Sequence, residues 1–154
     1  MEVTNINTEA TVFSDVFADL TARIMNGEEL NSALYAAANA ADELAKADLL
    51  NALDTAEEDS VVFAGLNGLM GRACYLPAAA PVMFHILARS GSYQEAIERN
   101  ILAAGDSAGR AIMIGAIMAR IHGVATPTGV PLSWALQLKD GADIWAECQT
   151  LASS

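Results

Sequence analysis

The densest polar chemistry in this sequence lies in residues 105–110, where G-D-S-A-G-R supplies a carboxylate, a hydroxyl and a guanidinium. We predict a tight loop over residues 105–109, followed by an apolar helix over residues 111–121 with Asp106 as its N-cap. A helix N-terminus carries a partial positive charge and unpaired N–H groups, so it is suited to bind an anion. The first hypothesis for function is therefore a site at this end of the helix.

Two kinds of chemistry are open to these side chains. Asp106 and Ser107 offer two of the oxygen ligands that Mg²⁺ prefers. Asp106 would otherwise only cap the helix and pair with Arg110 four residues further on. Arg110 could instead reach a phosphate bound at the helix N-terminus. The residues by themselves leave these alternatives open.

The same residues match G-x-S-x-G, the pattern around the nucleophile of α/β-hydrolases. In that fold the serine follows a buried strand, and the acid of its triad precedes the histidine in the chain. Residues 93–104, before Ser107, are predicted as a helix that begins with a capping box formed by Ser92 and Glu95. The single later histidine is His122, and every later acidic residue follows it. The sequence therefore argues against a serine hydrolase.

The rest of the chain has the hydrophobic periodicity of helices, and no stretch alternates cleanly between apolar and polar residues. We predict an all-α protein with one domain over residues 1–154 and no internal repeat. Residues 55–60 are predicted as an acidic surface connection. The segment 61–75, in which Gly65, Gly68 and Gly71 recur three apart, is predicted as closely packed or broken helix, with a backbone close to a ligand as the alternative. The other predicted helices span residues 8–25, 28–44 with a continuation or restart over 46–54, 77–87, 93–104, 131–138 and 142–151.

Three expectations concern the interior. Helix 111–121 is apolar on nearly every side, so we expect it to be the one buried central helix. Ala111, Gly115 and Ala119 would give it a face with little side-chain bulk. We expect Ile101 and Leu102 to point inward, together with Ala96 and Ile97. His85 lies in an apolar helix and is expected to be a hydrogen-bonded core residue.

Composition and charge exclude several classes of function. The formal charge is −11, with 19 acidic against 8 basic residues, which disfavours binding to nucleic acid or to an anionic membrane. The longest apolar run, nine residues within the central helix, is shorter than the roughly 20 that a membrane span needs. Cys74 and Cys148 have no metal-binding spacing, and we expect no signal peptide, because no basic and then apolar segment follows Met1. We therefore expect a reduced, cytoplasmic chain.

A resemblance covers most of the chain. Residues 95–123, E-A-I-E-R-N-I-L-A-A-G-D-S-A-G-R-A-I-M-I-G-A-I-M-A-R-I-H-G, resemble the C-terminal signature of the ADP-ribosylglycohydrolase family, A-x-x-x-G-G-D-T-D-T-x-A-x-x-x-G-A-x-x-G-A-x-x-G. V-P-L-S-W at residues 130–134 resembles the family's I-P-x-x-W. Residues 71–77 and 84–87 resemble the helix pair before the signature, and Val3-Thr4-Asn5 resembles its V-T-H.

The resemblance implies an orthogonal all-α bundle that removes ADP-ribose from a modified side chain or small molecule with two Mg²⁺ ions. Asp106 matches the first aspartate of G-D-T-D-T and would be a metal ligand, and Ser107 matches the threonine after it. The second aspartate falls on Ala108 and the last threonine on Gly109, neither of which has a ligating side chain. Asn5 stands where the family has histidine.

Residues 1–60 resemble neither the G-D-A-x-G helix nor the T-D-D cluster of the family's N-terminal half. The chain thus looks like the C-terminal half, with Asp106 for the metal and Ser107 and Arg110 for the ligand, and no catalytic residue is assigned. Its expected ligand is ADP-ribose or an ADP-ribosylated substrate. We expect a homo-oligomer or a complementing chain, with Mg²⁺-dependent hydrolysis once the missing half is supplied. The alternative is a non-catalytic binding or structural protein on the same scaffold.

Overall fold

The computed structural model describes residues 7–66 and 75–153, and these ranges form nine helices. The helices are α1 (Thr8–Met25), α2 (Leu30–Ala40), α3 (Glu43–Asp54), α4 (Ser60–Leu66), α5 (Leu76–Ala88), α6 (Tyr93–Leu102), α7 (Ser107–His122), α8 (Leu132–Leu136) and α9 (Gly141–Ala152). Within these ranges there is no strand, only an isolated parallel bridge between Val124 and Val130. The predicted all-α class is confirmed.

Helix α1 follows its sequence pattern closely. Its predicted apolar stripe is buried at Phe13, Val16, Phe17, Leu20 and Ile24. The cap is one residue earlier than the predicted Thr8, because the Asn7 side chain accepts the N–H groups of Glu9 and Ala10 at 2.8 and 3.2 Å. Capping by asparagine is the common solution at this position.

The predicted second helix is two helices. Helix α2 begins at Leu30, with the carboxylate of Glu29 accepting two backbone N–H groups as its N-cap. Glu28 lies before the helix and pairs with Arg23 at 3.3 Å. The chain leaves the helix after Ala40 and restarts at α3, so the break comes before the predicted one.

The buried helix of the fold is α5, not α7 as predicted. Every residue from Ala78 to Leu87 is buried, and α5 packs against α1, α2, α3, α4, α6 and α7. On α7 the inward side includes Ile114, Ile117 and Met118, whereas Ile112 is 73% exposed. Apolar residues on all sides of a helix therefore do not by themselves predict burial. They occur on the buried helix α5 and also on α7, which buries only one side.

Helix α6 faces the core with part of the predicted side, because Ile97 packs against the core as expected. Ala96 is buried as expected, but Ile101 and Leu102 point outward and are 60% and 65% exposed. Asn100 is buried in their place, because its amide holds the start of α7 as described below. The Ser92 side of the predicted capping box is confirmed, since Glu95 N–H donates to Ser92 Oγ at 3.1 Å.

The C-terminal helices α8 and α9 pack mainly against each other. Trp134 of α8 makes an edge-on ring contact with Tyr93 of α6, which ties this end to the bundle. None of the helices in the described ranges has the length and apolarity to cross a membrane. The predictions for Asn5, for Cys74 and for residues 67–74 of the glycine-rich segment fall outside the described residues.

Candidate functional site

The turn between α6 and α7 places Asp106 at the start of α7. Ala104 and Gly105 have positive φ angles of 58° and 70°, which reverse the chain sharply after α6. Asp106 then caps α7, accepting the Gly109 N–H through Oδ1 at 3.1 Å. The predicted cap is confirmed, but the helix already begins at Ser107. The predicted loop over 105–109 is therefore wrong in its second half.

Gly109 is required by this cap. A Cβ atom at Gly109 would collide with the carboxylate of Asp106, which lies across the first turn of the helix. Ser107 is half-buried beside it, and its backbone carbonyl accepts a hydrogen bond from Asn100 Nδ2 at 2.8 Å. Asp106 and Ser107 therefore lie together at the N-terminus of α7, held from below by α6.

Arg110 turns into the protein, away from Asp106. Its Nε donates to Asn100 Oδ1 at 2.8 Å, and its Nη2 donates to the carbonyl oxygens of Asn100 and Ala104. Within the described ranges Arg110 forms no ion pair, so the alternative of an i, i+4 pair with Asp106 is wrong. The carbonyls at the end of α6 are natural acceptors for a cation, because a helix C-terminus is partially negative.

Arg110 is only 1% exposed, and one nitrogen of its guanidinium has no partner among the described residues. That nitrogen is Nη1, which is buried. Burial lowers the pKa of the Arg110 guanidinium, and the nearby negative charge of Asp106 opposes that shift. Arg110 is therefore a buried cation with a free donor and no directly bonded anion.

An open groove of about 640 Å³ lies between α1, α5 and α7. Asp106, Gly109 and Arg110 line its α7 end. The remainder of the lining is mainly apolar and includes Phe13, Phe17, Ala18, Leu76, Met83 and Met113. A groove of this size with a few polar groups at one end has the character of a small-molecule site.

The donor set does not amount to a Mg²⁺ centre. Asp106 supplies one carboxylate and Ser107 one hydroxyl, while Ala108 and Gly109 add no side-chain ligand. No group of three or more histidine, cysteine, aspartate or glutamate side chains suited to a metal occurs in the described part of the chain. Mg²⁺ usually takes carboxylates together with substrate phosphates and water. Asp106 and Ser107 therefore provide at most part of the ligand set of such a site.

Asn100 is the site residue that the sequence analysis missed. Its amide links Arg110 to the backbone of Ser107, so it fixes the geometry of the α6–α7 turn. A signal was present, because Asn100 lies four residues after the buried Ala96 and thus on the inner side of α6. A polar side chain at such a position needs hydrogen-bond partners inside the protein.

Ser107 and His122 are not brought together. They occupy opposite ends of α7, about 22 Å apart at the helical rise of 1.5 Å per residue. Ser107 follows a helix and a turn, as predicted, where a hydrolase nucleophile would follow a strand. The G-x-S-x-G pattern is thus a helix N-terminus in this protein.

The fold and the site together define an all-α protein with an aspartate-capped helix N-terminus at the end of an apolar groove. The family model for ADP-ribosylglycohydrolase matches residues 1–154, so the chain belongs to the ADP-ribosylglycohydrolase family, a family of hydrolases. This confirms the resemblance drawn from the signature around Asp106. Comparison with curated proteins and with solved structures gives no match.

Proposed function

We propose that this chain provides part of the site of a Mg²⁺-dependent hydrolase that cleaves ADP-ribose from an acceptor. Asp106 is proposed as one metal ligand, with the Ser107 hydroxyl binding beside it. The observation that supports the proposal is the position of Asp106 in a family-type signature, in the lining of a groove large enough for a small molecule. The ligand of the groove's polar end is then ADP-ribose or an ADP-ribosylated group.

Hydrolysis is proposed to depend on carboxylates from outside the described residues, supplied by a complementing chain or by a further segment. One carboxylate binds Mg²⁺ weakly, and Asp106 lies close enough to Arg110 for its negative charge to oppose the lowering of the Arg110 pKa. A second cation at Asp106 would be repelled by that guanidinium. We therefore expect no release of ADP-ribose by this chain alone.

The second candidate is a binding or structural protein without catalysis. It is favoured by Ala108 and Gly109, which stand where the family signature has an aspartate and a threonine. Such a chain would keep the groove and the capped helix and would lose the reaction. The first candidate predicts hydrolysis once a complementing chain or segment supplies the missing carboxylates. The second candidate predicts no hydrolysis even then.

Asp106→Ser is the substitution that separates a cap from a metal ligand. Serine can still accept the Gly109 N–H, so most of the folding stability should remain, whereas Asp106→Ala should cost about 0.5–2 kcal/mol. Thermal unfolding of wild type and variants is measured with and without 5 mM Mg²⁺. We expect millimolar binding, hence stabilisation below about 1 kcal/mol, and its loss in Asp106→Ser.

Asp140→Ser is the matched control, because Asp140 precedes α9 without a side-chain cap and should change neither quantity. Turnover is followed on ADP-ribosylated arginine and serine. Metal-dependent release of ADP-ribose by the chain alone, abolished in Asp106→Asn, would show that the site is complete and the proposal wrong. A wild-type melting temperature raised by many degrees in Mg²⁺ would do the same.

A further inference from the structure

We infer that the C-terminal helix pair, α8 with α9, docks an amphipathic helix of a partner protein whose lysine or arginine side chains border its apolar row. This surface does not line the groove, and the inference does not rest on the hydrolytic reaction. Neither α8 nor α9 contributes a side chain to the hydrophobic core of the described structure. Leu136, Leu138 and Ile144 are instead 48%, 56% and 46% exposed, so this end of the molecule presents apolar surface to solvent.

Helix α9 has more apolar surface than α8 can cover. A helix of 12 residues is marginally stable in water by itself and depends on the packing of its apolar side. The contact with α8 includes Gly141, because a Cβ there would collide with the carbonyl oxygen of Ala135. At 1.5 Å per residue α8 spans about 7.5 Å and α9 about 18 Å, so α8 reaches less than half of α9. The later turns of α9 therefore offer their apolar side to a partner.

The apolar row of α9 has a shape that suits a second helix. Gly141, Ile144, Trp145 and Cys148 recur at spacings of three and four residues, so they lie on one side of the helix. Ile144 and Cys148 are exposed, and Trp145 is half-buried. Side chains at this spacing form the ridges that pack into the grooves of another helix. An extended peptide fits less well, because a helix has no unpaired strand edge to which the peptide backbone could bond.

The charged residues beside this row are all acidic. Asp140, Asp143 and Glu147 are the charged residues between positions 140 and 154, and all three are exposed. None of them forms an ion pair with another residue of the described ranges. Glu147 lies four residues after Asp143 and three after Ile144, so the two carboxylates line one edge of the row. Lysine or arginine side chains on the docked helix would meet these carboxylates and fix its register.

The same charges argue against two other occupants. A second copy of this chain would bring an identical acidic edge and a further formal charge of −11 to the contact. An anionic membrane surface would be repelled in the same way. A basic amphipathic helix combines an apolar row with the opposite charge, so it is the occupant that fits this surface.

The test is calorimetric titration of the whole chain with three synthetic helical peptides about as long as α9. The first peptide has leucines along one side and lysines at both edges of that row. The second has glutamate in place of lysine, and the third has the composition of the first in an order that gives no apolar side. We expect the first peptide to bind at least tenfold more tightly than either of the others. Equal binding of all three, or binding of none, overturns the inference.

Ile144→Ser locates the apolar part of the surface and should weaken binding of the lysine peptide at least tenfold. Ile112→Ser is the matched control, because Ile112 is also an exposed isoleucine but lies on α7, and binding should remain. Neither side chain belongs to the core, so both variants should fold, which circular dichroism checks. Binding that survives Ile144→Ser lies elsewhere on the molecule and contradicts the inference.

Reversing the charge beside the row gives an independent test. Asp143→Lys combined with Glu147→Lys should bind the lysine peptide at least tenfold more weakly and the glutamate peptide more tightly. Glu43→Lys combined with Asp48→Lys makes the same change of net charge at exposed positions on α3 and should leave the preference as it is. This comparison decides the question even if Ile144→Ser does not fold. An unchanged preference in the α9 variant, or the same change in both variants, would show that the surface is not the docking site.

Two further measurements report on the other occupants. Light scattering shows whether the wild type associates with itself, and sedimentation with phosphatidylcholine vesicles shows whether it binds a lipid surface. Self-association that is lost in Ile144→Ser and kept in Ile112→Ser would place a second copy on α9. Vesicle binding with the same dependence would place a membrane there. Either result would replace the partner helix as the occupant and thus refute the inference.

Discussion

Acid sensitivity should follow from a buried histidine on α5. His85 is fully buried, with Nε2 2.7 Å from the carbonyl oxygen of Glu57 and Nδ1 3.1 Å from Ser60 Oγ. Since a carbonyl only accepts, Nε2 carries the proton and donates it, and Nδ1 accepts from the Ser60 hydroxyl. The ring also stacks on Phe63 with the centroids 4.2 Å apart. The neutral imidazole thus joins the start of α4 to α5, as the predicted core role requires.

The environment of His85 lowers its pKa from the ordinary value of 6.5. Burial is the largest cause, and the positive charges of Arg89 and Arg99 act in the same direction, while the hydrogen bond to Glu57 and the charge of Glu58 oppose them. The unfolded chain therefore takes up a proton at a higher pH than the folded one. This contribution to stability is complete above pH 6.5 and is lost as the pH falls from 6.5 towards the lower pKa of the folded state.

His85→Phe is the substitution that isolates this effect. Phenylalanine keeps a ring against Phe63, and the Glu57 carbonyl keeps the Nε donor of Arg89 at 3.0 Å. The Ser60 hydroxyl loses its partner inside the protein, which costs about 1–3 kcal/mol. Adding Ser60→Ala removes that orphaned hydroxyl, so the double variant should be more stable than His85→Phe alone.

The assay is urea unfolding followed by circular dichroism at intervals between pH 5 and pH 8. Wild type should lose stability across the lower part of this range, and His85→Phe should lose clearly less. Glu29 and Glu95 have carboxyl groups whose pKa is lowered from the ordinary value of 4.5. The stability that they contribute is therefore lost below the pH range of this assay. Equal pH dependence in wild type and His85→Phe would refute the role given to His85.

Two further predictions concern the α6–α7 region. Asn100→Leu should destabilise the fold by about 2–4 kcal/mol, because it leaves the charged Nε of Arg110 and the carbonyl of Ser107 without their partner. The free energy of unfolding is measured by chemical unfolding, and a loss below about 0.5 kcal/mol would contradict the prediction. The exposed apolar side chains of Ile101 and Ile112 should promote self-association at micromolar concentration. Light scattering should show less association for Ile112→Lys, and a monomeric wild type would disprove the expectation.

The helices were predictable where local patterns decide them. The stripe of α1, the capping box before α6 and the Asp106 cap depend on residues three or four apart, so sequence alone identifies them. The central helix was not predictable in this way. Helices α5 and α7 are both rich in apolar residues, and which one is buried depends on how many other helices surround it.

The position of the candidate site could be predicted from the sequence, but the hydrogen-bond partners of Arg110 could not. The sequence placed Asp106 and Ser107 at a helix N-terminus, which follows from local cap chemistry. One of the two alternatives for Arg110 was a pair with Asp106, because i, i+4 neighbours meet on an exposed helix. In the folded protein Arg110 faces inward, where Asn100 and the end of α6 offer acceptors. The inward direction of Arg110 depends on how α6 packs against α7. The spacing of residues within α7 carries no information about that packing.

The cap at Asp106 can be tested by its conflict with Gly109. Alanine stabilises a helix interior by about 1 kcal/mol relative to glycine, so Gly109→Ala alone would be expected to stabilise α7. Its Cβ would displace the Asp106 carboxylate, however, and the lost cap costs about 0.5–2 kcal/mol. We therefore expect Gly109→Ala to be neutral or destabilising in wild type and stabilising by about 1 kcal/mol when Asp106 is already alanine.

Gly115→Ala is the matched control for this reversal of sign. A Cβ at Gly115 would lie 3.5 Å from the Tyr93 hydroxyl, an ordinary contact that needs no rearrangement. Gly115→Ala should thus stabilise the protein by about 0.5–1 kcal/mol in both backgrounds, measured by chemical unfolding. Sites without shared partners give additive effects, so only the pair of Asp106 and Gly109 should depart from additivity. Additive free energies for that pair would mean that the carboxylate does not hold the first turn of α7.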